Sequence, residues 1–87
     1  MSGSDTHSVY MALSQAVKES INAELERQGI SMRELGRRTG MKQQYLWRRV
    51  STHPRATKEL KPSELERVAQ ALGVPVARLL RDLARAA

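Results

Sequence analysis

The chain has 87 residues, a formal net charge of +6 and no cysteine. This length fits a single domain, and the absence of cysteine excludes disulfides and zinc–thiolate sites while suiting a reducing compartment such as the cytoplasm. Because aromatic residues make up only 3% of the chain, we expect an aliphatic core, which favours packed helices over sheets. No apolar run approaches the roughly 18 residues that a membrane span needs. Residues 1–7 lack the pattern of a secretion signal and are predicted to form a disordered lead before a domain at residues 8–85.

The first predicted helix runs from about Ser8 to Gln28. Its apolar residues recur at spacings of three and four and form one stripe: Tyr10, Leu13, Val17, Ile21 and Leu25. Gly29 follows as the helix terminator. We interpret this helix as scaffold.

The second predicted helix begins at Ser31. Ser31 and Glu34 have the spacing of a capping box, in which each side chain accepts a hydrogen bond from a backbone N–H of the first turn. Gly36 lies inside the helix at a cost of about 1 kcal/mol relative to alanine, so we expect a second helix to cross closely there. Gly40 ends the helix and opens a turn.

The third predicted helix runs from about Lys42 to Val50 or Ser51. Leu46 and Val50 lie one turn apart and define its buried face, with Gln44 and Arg48 roughly opposite. The flanks carry Gln43, Tyr45 and Trp47. Glutamine can pair bidentately with adenine and arginine with guanine, so the exposed face offers side chains that read base edges.

A loop at residues 51–61 is longer than most helix connections, and Pro54 blocks helix continuation within it. The fourth predicted helix starts at Pro62, carries a core stripe and ends at Gly73. That stripe is Leu65, Val68, Ala69 and Leu72. A fifth helix opens at Pro75 and carries Val76, Leu79, Leu80 and Leu83. Either all four of these pack internally, or Val76 or Leu83 contacts a second copy of the chain.

Positive charge is concentrated in one third of the chain. Residues 33–61 carry nine Lys/Arg and two Glu, a net +7, whereas the remaining residues carry six Lys/Arg and seven Asp/Glu, a net −1. Such an excess indicates a polyanionic partner, most commonly nucleic acid. An anionic membrane is disfavoured, because Gly40 and Pro54 break the continuous amphipathic helix that membrane binding requires.

The segment RELGRRTG at residues 33–40, together with Met41, Leu46 and the glutamine pair at residues 43–44, resembles the helix-turn-helix of the Cro/C1-type (XRE-like) repressors of phages and bacteria. ELERVAQALGVP at residues 64–75 resembles the fourth helix of that family and the turn into its fifth. The resemblance covers about residues 10–83. It implies an all-α, compact five-helix lambda-repressor-like DNA-binding domain, with the helix-turn-helix at helices two and three, acting in a bacterial cytoplasm or nucleoid.

The resemblance also assigns roles to residues. Gln43, Gln44 and Arg48 fall on the base-reading positions, and Trp47 is a further candidate. The predicted phosphate contacts are Arg33, Arg37, Arg38, Lys42, Tyr45, Arg49, Arg55, Lys58 and Lys61. Where the family commonly has an apolar residue this chain has Arg49, with Val50 one position later. We expect the helix to be rotated so that Val50 is buried, rather than Arg49 lying along the core by its aliphatic stem.

The expected function is a sequence-specific transcription regulator of double-stranded DNA, a small phage-type repressor that occludes a promoter. Its partner would be a palindromic operator, bound by a homodimer formed through helix five or on DNA. The alternatives are an antitoxin-like protein–protein interaction module and a DNA-bending excision factor with Trp47 as the wedge. We expect no enzymatic activity, because His7 and His53 lack an evident carboxylate or nucleophile partner. We also expect no cofactor, metal ion, membrane or small-molecule ligand.

Overall fold

Five α-helices make up the secondary structure of residues 3–80, whose backbone the computed structural model describes, with side chains from residue 14 onward. They are α1 (Gly3–Gln28), α2 (Met32–Thr39), α3 (Gln43–Val50), α4 (Pro62–Leu72) and α5 (Val76–Leu79). No strand occurs in this range, which confirms the all-α class. α1 begins at Gly3 rather than near Ser8, and the division between a lead and a domain stays a prediction. The side chains of His7, Tyr10, Leu13 and Leu83 lie outside the described residues.

Only one of the two hydrogen bonds of the predicted capping box forms at the start of α2. The Ser31 hydroxyl accepts a hydrogen bond from the Glu34 N–H at 3.1 Å. The Glu34 carboxylate does not reciprocate, because it accepts hydrogen bonds from the arginines at residues 37 and 38 on its own helix. At the start of α4, by contrast, the carboxylate of Glu64 does accept from the Lys61 N–H, at 2.9 Å. The carboxylate bond of a capping box therefore forms at α4, whereas the Glu34 carboxylate is bound to two arginines of its own helix.

One aliphatic cluster joins the five helices. Its buried members are Ile21, Leu25, Leu35, Leu46, Val50, Val68, Ala69, Leu72 and Leu79. Val50 is fully buried while Arg49 is only half-buried, which confirms the prediction that Val50 is the buried residue of the two. Val76 packs against the cluster from its edge, as expected if the apolar residues of α5 face the protein's own interior.

Gly36 permits a close approach of the turn before α3 and of the first residue of α3. A Cβ atom at this position would lie 2.8 Å from the carbonyl oxygen of Met41, and 3.6 Å from the backbone nitrogen of Gln43. The close approach that the sequence predicted is therefore made by the turn and by the start of α3. The absence of a side chain lets this turn lie directly against α2.

The polar residues near the C-terminal end of α1 are structural. The Glu24 carboxylate is buried and binds Arg27 on its own helix and Arg78 of α5, at 2.7 and 2.8 Å. Hydrogen bonds from Arg27 and Gln28 lower the pKa of Glu24 to about 2, and they outweigh the opposing effect of desolvation. Gln28 also donates to the carbonyl oxygen of Leu72 at the end of α4. These contacts connect α1 to both C-terminal helices.

Candidate nucleic-acid interface

The exposed face of α3 carries all four residues that the sequence predicted to read bases: Gln43, Gln44, Trp47 and Arg48. Gln43 and Trp47 lie one helical turn apart, as do Gln44 and Arg48, so the four side chains form two adjacent rows. Trp47 keeps 37% of its surface exposed. A helix of eight residues is about 12 Å long.

Tyr45 fixes α3 to α4. Its hydroxyl donates a hydrogen bond to the buried carboxylate of Glu64. The guanidinium of Arg49 lies over the Tyr45 ring, 3.5 Å from its centre, and donates to the Tyr45 carbonyl oxygen at 3.3 Å. The single hydroxyl proton of Tyr45 is therefore directed at Glu64, and any donation from this residue to a phosphate would have to break that bond.

In the pair formed by Tyr45 and Glu64, only the carboxylate of Glu64 is ionised. The hydrogen bond to Glu64 raises the pKa of Tyr45, and desolvation acts in the same direction. Burial alone would raise the pKa of Glu64, but the hydrogen bonds from Tyr45 and Lys61 and the nearby charge of Arg49 lower it overall. A neutral phenol thus donates to a carboxylate, and this charge-assisted bond holds α3 at a fixed rotation.

Arg67 of α4 stabilises the turn before α3, a role that sequence reasoning missed. Its guanidinium donates to the carbonyl oxygen of Thr39, the last residue of α2. The Thr39 hydroxyl donates to the Leu35 carbonyl oxygen at 2.8 Å and accepts from the Met41 N–H at 3.3 Å. An arginine on the polar side of a helix gives no signal that distinguishes this contact from simple solvation.

The loop of residues 51–61 folds back on the C-terminal end of α3. The N–H of Lys58 donates to the carbonyl oxygen of Arg48 at 3.1 Å. His53 lies against Trp47, with 5.5 Å between ring centres, and its Nδ1 accepts from the Arg55 N–H at 3.0 Å. The loop therefore holds basic side chains next to the exposed face of α3.

A cleft of about 270 Å³ opens between α3 and this loop. It is lined by Lys42, Gln44, Tyr45, Arg48, Arg49 and Lys58. Four of these six residues are cationic, and no acidic side chain of the described residues lines the cleft. The fold thus brings two predicted base-reading residues, Gln44 and Arg48, together with predicted phosphate-binding residues from both α3 and the loop. Like charges gathered at one site favour an anion there.

The remaining predicted cations are spread over other surfaces. Arg37 and Arg38 share the Glu34 carboxylate, and hydrogen bonds from both lower the pKa of Glu34 to about 2. Arg38 also donates to the Ala71 carbonyl oxygen at 3.3 Å and lines a second cleft of about 220 Å³ with Arg67. Arg33, Arg55 and Lys61 are exposed. The α2 arginines therefore act in part as structural partners of Glu34 and α4.

Within the described part of the chain, no cluster of three or more histidine, aspartate or glutamate side chains is placed to hold a metal ion. No helix there is long and apolar enough to cross a membrane. No protein-family model, curated protein or solved structure matches the chain. What the fold and the site define is an all-α domain that presents one short helix, rich in glutamine and arginine, beside a basic cleft.

Proposed function

We propose that this protein is a sequence-specific regulator of transcription that inserts α3 into the major groove of double-stranded DNA. One observation carries the proposal: the exposed face of α3 holds Gln44 and Arg48 at the rim of a cleft where four cations converge. A protein–protein interface would be expected to be depleted in lysine. Glutamine and arginine beside a group of cations match the division between base readout and phosphate contact in DNA complexes.

The proposed base-reading residues are those on the outer face of α3. Gln43 and Gln44 would each offer an amide to adenine, and Arg48 would offer its guanidinium to guanine. Trp47 lies at the edge of this face against His53. That position suits contact with a sugar or a thymine methyl group, and we propose that role in place of a wedge between base steps.

The proposed phosphate contacts come mainly from the cleft. Lys42, Arg49 and Lys58 line it, and Arg55 belongs to the same loop as Lys58. Arg33, Arg37 and Lys61 are exposed outside the cleft and would extend the electrostatic footprint. Tyr45 contributes by orienting α3 through Glu64 rather than by donating to DNA.

The regulator would act as a repressor of the Cro/C1 type, blocking a promoter in a bacterial cytoplasm by occupying it. We propose that two copies bind a palindromic operator with half-sites about one helical turn apart. Since Val76 packs against the protein's own core, pairing on DNA is a simpler arrangement than pairing through this residue of α5.

Selection of bound sequences from random double-stranded DNA tests the proposal. We expect enrichment of a palindrome with two half-sites, bound with an affinity that falls steeply as salt concentration rises. Enrichment of a single half-site would support sequence-specific recognition but exclude binding by two paired copies. Recovery of no sequence preference after repeated rounds would contradict the proposed function.

A further inference from the structure

Lys18 of α1 is a cation in an unusual place. It is 7% exposed, and its ammonium group donates to the carbonyl oxygen of Ala56, which is itself buried in the middle of the loop. Burial lowers the pKa of Lys18, and the charge of Glu59 opposes that effect. Burying an ammonium is costly unless it is hydrogen-bonded, and the Ala56 carbonyl oxygen supplies that partner. The contact connects the middle of the loop to α1.

Asn22 lies one turn farther along α1 and acts on the same region. Its amide donates to the Lys18 carbonyl oxygen at 2.8 Å and to the Val50 carbonyl oxygen at 2.7 Å. Val50 is the last residue of α3, and carbonyls at a helix end lack partners within the helix. Two neighbouring side chains of α1 thus hold both the end of α3 and the middle of the loop.

In the sequence, the carbonyl that Lys18 binds lies between two of the three cations of the loop, Arg55 and Lys58. Arg55 precedes Ala56, and Lys58 follows it and is connected to α3 through its own N–H. We infer that Lys18, together with Asn22, is a positioning residue for DNA binding: it holds the loop in the conformation from which Arg55 and Lys58 reach backbone phosphates. This inference rests on the proposed function.

The salt dependence of DNA affinity measures this role directly. Each lost phosphate contact makes the slope of log affinity against log salt concentration shallower by about 0.9. Lys18→Met removes the ammonium but keeps an unbranched side chain, and we expect a slope shallower by about 2 if both loop contacts are lost. The double variant Arg55→Gln/Lys58→Gln should show the same reduction, and adding Lys18→Met to it should reduce the slope no further.

Asn22→Ala is the matched variant, because it leaves the net charge unchanged. It should also make the slope shallower, which would exclude loss of charge as the cause. In the free protein, hydrogen exchange at the amides of Ala56 and Lys58 should accelerate in both variants, while the amides of α4 keep their protection. If Lys18→Met fails to fold, Asn22→Ala carries the same test.

Slopes unchanged from the original protein in both variants, or an additive reduction in the triple variant, would overturn the inference. So would unaltered exchange at the loop amides. Failure of the proposed function gives a different result, namely an original protein that shows no preference for any DNA sequence while its loop amides still respond to Lys18→Met.

Discussion

At the scale of single residues, burial and immediate neighbours decide what each side chain does. Glu24 and Glu34 are both glutamates on helices, and both have pKa values lowered to about 2 by hydrogen bonds from arginines. Their side chains differ in exposure, at 8% and 29%. Solvent screens the more exposed group, so Glu24 is the residue whose ionisation the fold depends on more.

Acid should therefore destabilise the protein through Glu24. Its pKa is about 2 in the folded state, against 4.5 ordinarily, so its contribution to stability is complete above about pH 4.5 and is lost as the pH falls towards 2. In urea titrations repeated from pH 6 to pH 2, we expect Glu24→Gln to lower the free energy of unfolding at pH 6. We also expect that free energy to decline less steeply with falling pH than in the original protein. A decline as steep as in the original protein would contradict the role of Glu24. Glu34→Gln, which removes the more exposed glutamate, is the control variant and should change the decline less than Glu24→Gln does.

Gly36→Ala should destabilise the protein despite the better helix propensity of alanine. The added Cβ would meet the Met41 carbonyl oxygen at 2.8 Å, and such overpacking typically costs about 1–3 kcal/mol. Alanine recovers up to about 1 kcal/mol of helix propensity, so we expect a net loss of up to about 2 kcal/mol. Urea unfolding measures the loss, and the amide NMR shifts of Met41 and Gln43 should move.

Gly29→Ala is the control for that substitution. Gly29 has a φ of +67° but no atom within 4 Å of a built Cβ. Its replacement should cost stability through backbone strain alone and leave the shifts of the α2–α3 turn unchanged. Increased stability in Gly36→Ala would show that the turn can move away from α2 at little cost.

At the scale of elements, the orientation of α3 depends on contacts from three other parts of the chain. Tyr45 connects it to Glu64 of α4, Asn22 of α1 binds its last carbonyl, and Gly36 of α2 admits the turn before it. The rotation of α3 determines which side chains face outward. Contacts made beneath the helix should therefore affect recognition as well as stability.

Tyr45→Phe tests that connection. Loss of the hydroxyl leaves the buried Glu64 carboxylate without one of its donors, so we expect a lower melting temperature and weaker discrimination between specific and random DNA. Glu64→Gln should reduce both in a non-additive way with Tyr45→Phe. Glu66→Gln removes an exposed carboxylate on the same helix and should change neither property measurably.

The sequence predicted the helices and their buried faces but not the polar contacts between them. The apolar spacing predicted the buried faces of α3 and α4, and it predicted that Val50 rather than Arg49 is buried. Lys18 and Arg67 gave no such signal, because a polar residue on a helix is ordinarily solvated. Their partners are carbonyl oxygens 38 and 28 residues away along the chain. Which carbonyl approaches which side chain is decided by the packing of the whole fold.

At the scale of the whole molecule, charge and shape combine on one side. The loop of residues 51–61 lies beside α3, so four of the nine basic residues in the segment 33–61 meet around one cleft, while the other five lie elsewhere on the surface. The negative residues Glu24 and Glu64 are buried in the scaffold. Gln44 lines this cleft, and the proposed function requires that it reads a base.

The most direct test compares Gln44→Ala with Gln70→Ala, which removes an exposed glutamine from α4. Affinity is measured for the DNA site selected by the original protein and for random DNA of equal length. A bidentate contact contributes about 1–3 kcal/mol of discrimination. We therefore predict that Gln44→Ala lowers the preference for the selected site about 10-fold or more, with little change in the affinity for random DNA. Gln70→Ala should keep the preference of the original protein. Equal weakening on both DNAs by Gln44→Ala would contradict the account.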